Sequence, residues 1–217
     1  MEARYLGHSA VILKGSRTIV IDPFLTGNPV AACEAKDITK ADFVIATHDH
    51  MDHIGDSFDI CKRTGATFVA AFEVAGSAEA EGITIEPMGI GGSIESKGVR
   101  FSMTNAAHSS SLASPAGMIV EMDGKTVYHM GDTGLIPDFA LLPEFFSIDL
   151  AFVPIGDRFT MGAPSAAKAV EMCGAKIAVP VHYATWPLLD STAAGFVESA
   201  GGRADVRVLA PGESLNL

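Results

Sequence analysis

Three histidines and two aspartates crowd into Thr47-His48-Asp49-His50-Met51-Asp52-His53, directly behind the apolar run Phe43-Val44-Ile45-Ala46. Imidazole and carboxylate are ligands that divalent ions such as Zn²⁺ and Mn²⁺ prefer. A tight H-x-H-x-D-H loop at a strand end can aim one pair of imidazoles at one ion. The next Asp and His then reach a second ion nearby. Histidine is too rare for a solvated loop to carry three without a use, and the strand context fits a mechanism. The segment reads as a metal-binding loop.

Three further residues of the same chemistry each follow a strand-like run. His108 closes Asn105-Ala106-Ala107-His108 after residues 99–104, and Asp132 lies in Gly131-Asp132-Thr133-Gly134 after residues 126–130. His182 follows residues 177–181. In this order, with His48-Asp49-His50-Met51-Asp52-His53, they resemble the ligand pattern of the metallo-β-lactamase superfamily. The resemblance spans nearly the whole chain. It implies an α/β fold, a four-layer αββα sandwich with metals between its two sheets.

It also implies roles. His48, His50 and His108 would hold one divalent ion. Asp52, His53 and His182 would hold a second, with Asp132 bridging, so Asp52 and Asp132 are the expected catalytic carboxylates. Two such ions ~3.5–4 Å apart share a water and bring its pKa near neutrality, which yields a hydroxide nucleophile. The resemblance also has Asp52 orient that nucleophile and accept a proton. Zn²⁺ is the first expectation for the cofactor, with Mn, Ni and Fe as alternatives, because such sites accept ions according to supply.

Tyr5-Leu6-Gly7-His8-Ser9-Ala10, Ile21-Asp22-Pro23-Phe24-Leu25-Thr26-Gly27-Asn28-Pro29, Phe159-Thr160-Met161-Gly162 and His182-Tyr183-Ala184-Thr185-Trp186-Pro187 narrow the resemblance. They are similar to a branch of bacterial and archaeal metal-dependent hydrolases related to the lactonase that opens ascorbate-6-phosphate. After Pro154-Ile155-Gly156 the chain departs from that branch with the charged pair Asp157-Arg158. The flavin-linked di-iron oxygen reductases of the same fold are disfavoured, because they carry a carboxylate where this chain has His50.

A second tier of residues is expected near the site. Asp22 stands at the repeat position equivalent to Asp132 and is expected to orient a ligating His. Asp49 alternates away from His48 and His50, which suits fixing the loop. His8, Asn28, Arg158 and Tyr183 are candidates for touching the site or its substrate. His129, inside a strand, is expected to be a packed, hydrogen-bonded core histidine. Cys61 and Cys173 read as core, and Cys33 as an ordinary loop cysteine, with a place near the site as its weaker alternative. Met161, Trp186 and the scattered Phe residues read as core.

The elements that must position these groups follow from the pattern. Residues 9–22 and 118–132 share one layout: strand, Gly-containing turn, strand, then Asp. This faint repeat predicts two similar halves, each a hairpin followed by alternating helices and strands. Helices are expected over 54–64, 72–80, 137–145, 164–173 and 191–200, and buried strands over 67–70 and 148–153. The tail to Leu217 reads as a strand.

The 217 residues suit one hydrolase domain, residues 1–217, with a substantial core. The balance of 15 basic against 26 acidic residues gives a net charge of −11. That field repels polyanions, so the expected partner is a small-molecule substrate, with no nucleic acid and no membrane. The similar lactonases suggest a homo-oligomer. Three unpaired-looking cysteines and no basic-then-apolar leader point to a cytoplasmic protein. The reading is a dinuclear hydrolase of an ester, lactone or phosphoester. Its competitors are a phosphodiesterase or nuclease of the same fold and a non-catalytic metal-binding protein.

Overall fold

The computed structural model describes residues 1–217 and builds two seven-stranded sheets. The first holds β1 (Glu2–Gly7), β2 (Ala10–Lys14), β3 (Thr18–Ile21), β4 (Phe43–Ile45), β5 (Thr67–Ala71) and β6 (Ile85–Met88), with β14 (Ser214–Asn216) at its edge. The second holds β7 (Ser93–Ser96), β8 (Val99–Asn105), β9 (Ala116–Met122), β10 (Lys125–His129), β11 (Leu150–Pro154), β12 (Ile177–Val181) and β13 (Asp205–Val206).

The order is β14-β1-β2-β3-β4-β5-β6 in one sheet and β7-β8-β9-β10-β11-β12-β13 in the other, read from the opposite end. In both, three antiparallel pairings are followed by three parallel ones. The sequence repeat is therefore a repeat of topology. The tail completes the first sheet: Asn216 pairs with Glu2 as the strand equivalent to β7.

Alternation along each strand divides the apolar residues between two layers. In β11, Leu150 and Phe152 face the core between the sheets, while Ala151 and Val153 face a second core. Phe43 of the first sheet meets Phe101 of the second edge-on at 4.9 Å. Outside the second sheet, α4 (Ala163–Cys173) and α5 (Ala194–Ala200) cover Ile119, Tyr128 and Val153. Outside the first lie α2 (Ser57–Thr64) and α3 (Phe72–Glu79). The result is the expected four-layer αββα sandwich.

Three expected helices are corrected. Residues 54–64 do not form one helix: a single turn, α1 (Met51–Ile54), stops at Gly55 before α2 begins. Gly55 has φ +37°, and a Cβ there would lie 2.5 Å from the Pro23 carbonyl. The chain must turn here to clear the β3 loop. The 137–145 segment is a 3₁₀ helix, Pro137–Glu144, because Pro143 lacks an N–H and crowds the preceding turn. The last helix begins at Ala194 rather than at 191, with the Thr192 hydroxyl accepting the Ala194 N–H ahead of it. No helix is long and apolar enough to cross a membrane.

Candidate metal centre

All seven expected ligands converge where β4, β10 and β12 end, with β8 delivering His108 through the loop after it. His48 and His50 present Nε2 and Nδ1 to one another at 3.0 Å, and both lie near His108. Asp132 sits between this group and the next. Its Oδ2 is 3.6 Å from His108 Nε2 and 2.9 Å from His182 Nε2, and its Oδ1 is 3.3 Å from His53 Nε2. Asp52 Oδ2 lies 3.7 Å from His182 Nε2 and 3.9 Å from His53 Nε2. His53, Asp132 and His182 are buried, while the Asp52 side chain is 25% exposed and faces a cavity.

The donor set fits divalent ions on grounds of satisfaction as well as proximity. His53 Nε2, Asp132 Oδ1 and both nitrogens of His182 are buried without a hydrogen-bond partner. Buried polar atoms are rarely left so, and four of the seven such atoms in the protein belong to these three residues. His182 Nε2 is close to Asp132 yet not aligned with it for a hydrogen bond. Potential ligand atoms that crowd together without bonding to one another suit a common cation between them.

The electrostatics agree. Burial alone would raise the Asp132 carboxyl, but the facing His53 and His182 outweigh it and hold the group well below the usual carboxylate range. Burial alone would lower His182, but Asp132 and Asp52 push it up to about 9. His53 is raised in the same way by Asp132 and Asp22 against burial. Burial pushes His48, where no carboxylate dominates, down to about 3. Without ions, protons compensate the buried carboxylates, and cations would take their place.

A further layer holds the cluster. Asp22 accepts the His53 Nδ1–H at 2.7 Å and the Thr47 N–H and hydroxyl at 2.8 and 2.7 Å. The Asp49 carboxylate turns away from the cluster and accepts the Ser110 hydroxyl and the N–H groups of Ser111 and Leu112, which anchors the loop after His108. His8 is fully buried and contacts Asp52. His8, Asp22 and His182 have φ of 56°, 47° and 56°. Such left-handed conformations in non-glycine residues concentrate where surrounding structure enforces them, often at functional sites. Gly156 makes room beside His182: a Cβ there would lie 2.3 Å from the His182 carbonyl oxygen.

Several second-tier residues fall elsewhere. Asn28 bonds within its own loop, its amide N–H donating to the Phe24 carbonyl and its oxygen accepting the Val30 N–H. Tyr183 packs against the second core. Cys33 lies beside Arg4, Leu6 and Asp37, away from the cluster. His129 donates from Nε2 to the Ser9 carbonyl at 2.9 Å and accepts the Gly131 N–H at Nδ1.

Two aromatic residues expected in the core stand at the site instead. Trp186 and Phe159 line a cavity of about 360 Å³ above His50, Asp52, His108, Asp132 and His182, together with Ser109. Phe159 is 51% exposed, and the exposed Arg158 guanidinium lies 5.8 Å from its ring. Their short strand-end loops, rather than any helical or strand period, place them there. Thr185 and Thr47, whose hydroxyls bond to His8 and to Asp22, carried no signal beyond adjacency to His182 and His48. A larger groove of about 580 Å³ elsewhere, lined by Met103, Leu141 and Phe145, has no metal-binding cluster.

Two sheets meeting over a strand-end His/Asp cluster define a metal-dependent hydrolase of the metallo-β-lactamase fold. Residues 17–183 match the model of the beta-lactamase superfamily domain, and the chain belongs to that superfamily. It is 42% identical, over the whole of both chains, to a UPF0173 metal-dependent hydrolase of Pelotomaculum thermopropionicum. A UPF0173 metal-dependent hydrolase of Thermococcus kodakarensis is also 42% identical over the whole of both chains. Among solved structures, the metallo hydrolase Igni18 of Ignicoccus hospitalis superposes with a TM-score of 0.93 at 35% identity, covering 99% of this chain and 97% of its own.

Proposed function

We propose that the enzyme holds two divalent ions and hydrolyses an ester, lactone or phosphoester bond in a small, anionic substrate. The observation that carries this reading is the position of Asp132. Its carboxylate lies between His48, His50 and His108 on one side and Asp52, His53 and His182 on the other. These residues would hold the two ions, with Zn²⁺ the first choice and Mn, Ni or Fe as alternatives. When bound, such ions acidify water and polarise a carbonyl or phosphoryl oxygen.

The protein's own groups supply the rest. Asp52, ionised and open to the cavity, can accept a hydrogen bond from the attacking water and orient it. Trp186 and Phe159 flank the reacting group and limit water around it. Arg158, exposed beside Phe159 and free of an ion pair, would favour a substrate carrying a carboxylate or phosphate. The cavity of about 360 Å³ suits a small molecule. The acidic chain and the lack of an inserted basic arm disfavour RNA or DNA.

Metal-loaded enzyme assayed against simple lactones, carboxylic esters and bis-p-nitrophenyl phosphate tests the activity. Turnover of one class, abolished by chelation and restored by Zn²⁺ or Mn²⁺, is expected. A fully loaded protein inert across the panel would support a binding role for the fold instead.

A further inference from the structure

His8 is fully buried at the end of β1. Its Nε2 lies 3.1 Å from Asp52 Oδ2, and its Nδ1 lies 2.8 Å from Thr185 Oγ1. Its carbonyl accepts the His182 N–H at 2.8 Å and the Tyr5 hydroxyl at 3.1 Å. One residue thus holds Asp52 through its ring and His182 through its backbone.

Distance alone groups His8 with Asp52, His53 and His182 as four donors for one cation. Hydrogen-bond chemistry separates it from them. A carboxylate offers no hydrogen, so the hydrogen between His8 and Asp52 must sit on His8 Nε2. That nitrogen has no lone pair left for an ion, and Nδ1 is engaged with Thr185.

The repeated topology leads to the same place. His8 follows β1 and His108 follows the equivalent strand β8, while Asp22 follows β3 and Asp132 follows the equivalent β10. In the second half these residues face each other inside the cluster, His108 Nε2 being 3.6 Å from Asp132. In the first half they stand one layer behind it. His8 holds Asp52 and Asp22 holds His53, adjacent residues of α1.

We propose that His8 is a positioning residue for the ion held by Asp52, His53 and His182, resting on the two-ion reading above. Its Nε2–H, braced by Thr185, fixes the Asp52 carboxylate, and its carbonyl fixes His182. His8 itself does not ligate. The site therefore depends on a contact between residues 177 positions apart, His8 and Thr185.

The test is titration of metal-free protein with Zn²⁺ against a chromophoric chelator, for the unaltered chain, His8→Ala, His8→Gln and Thr185→Val. Outer-layer contacts of this kind are worth about 10–100-fold in metal affinity. His8→Ala should weaken one of the two ions by about that factor and leave the other within about threefold. Thr185→Val should weaken the same ion less, and His8→Gln should recover most of the loss, because its amide N–H can reach Asp52. Wild-type affinity for both ions in His8→Ala and Thr185→Val overturns the proposal. Loss in His8→Gln as deep as in His8→Ala, with Thr185→Val unchanged, also overturns it and makes His8 a ligand. If His8→Ala fails to fold, Thr185→Val, which keeps the ring, decides alone. One ion in the unaltered protein would defeat the two-ion reading separately. The His8 claim would then be judged on that ion's affinity in the same variants.

Discussion

Asp22 Oδ2 accepts the Nδ1–H of His53 at 2.7 Å with both side chains wholly buried. The opposite ring nitrogen, Nε2, faces Asp132 Oδ1 at 3.3 Å. The His53 imidazole is therefore gripped between two aspartates that occupy equivalent places in the two halves. One sets the ring's direction and the other shares its target. Asp22→Ala would leave a buried ring without its orienting partner and free the Thr47 N–H as well. The expected result is about 10–100-fold weaker metal binding, with about 3–5 kcal/mol lost from the stability of the metal-free protein. Denaturant unfolding and metal titration read the two effects. Unchanged metal affinity would show that His53 needs no brace.

Asp132→Ala removes the carboxylate shared by both groups of ligands. It should lose at least one ion and all hydrolysis while staying folded, because the strands β9 and β10 that support it keep their pairing. Elemental analysis beside circular dichroism checks this. Retention of both ions would contradict a bridging role.

His129→Ala should behave oppositely. The ring bonds to Ser9 and Gly131 and to nothing in the cluster but the Asp22 edge, whose Oδ2 is 4.0 Å away. Removing it leaves buried backbone groups unpaired, at about 1–3 kcal/mol each. A lower melting temperature with intact metal content is expected. Loss of an ion would make His129 part of the site.

The metal-free protein should bind Zn²⁺ more tightly as pH rises toward about 9, the value to which burial-opposed attraction by Asp132 and Asp52 raises His182. Below that pH the ring carries a proton that an incoming ion must expel. The stability of the metal-free fold moves the other way. A raised histidine pKa stabilises fully below the ordinary value of 6.5 and loses that contribution as pH climbs through about 9. Calorimetry in buffers of different ionisation enthalpy should show protons released on Zn²⁺ binding at pH 7. No release would mean that His182 and His53 are neutral in the free protein.

Gly156→Ala tests the room beside His182. A Cβ would sit 2.3 Å from the His182 carbonyl oxygen and 3.2 Å from its Nδ1, so the loop after β12 must shift. Metal affinity should fall while α4 and its core remain ordered. Affinity and melting temperature both at wild-type values would show that the loop yields at no cost.

The cluster was readable because His48, His108, Asp132 and His182 each follow an apolar run within three residues of a strand end, and His50, Asp52 and His53 lie in the turn that continues from His48. The halves were readable because residues 9–22 and 118–132 share a hairpin layout ending in Asp. What escaped depended on contacts distant in sequence. The break at Gly55 is imposed by the Pro23 carbonyl, which no helical pattern contains. Trp186 and Phe159 look apolar in sequence, yet their loops cross the cavity mouth instead of entering a core. Asn28 sits in a motif beside the site but satisfies its own loop. Thr185 bonds to His8, a residue 177 positions away.

Metal content per chain, measured by elemental analysis on protein purified without chelator and then reconstituted with Zn²⁺ or Mn²⁺, tests the dinuclear centre most directly. A dinuclear centre requires close to two ions per chain. Fewer than one, not raised by reconstitution, would contradict it.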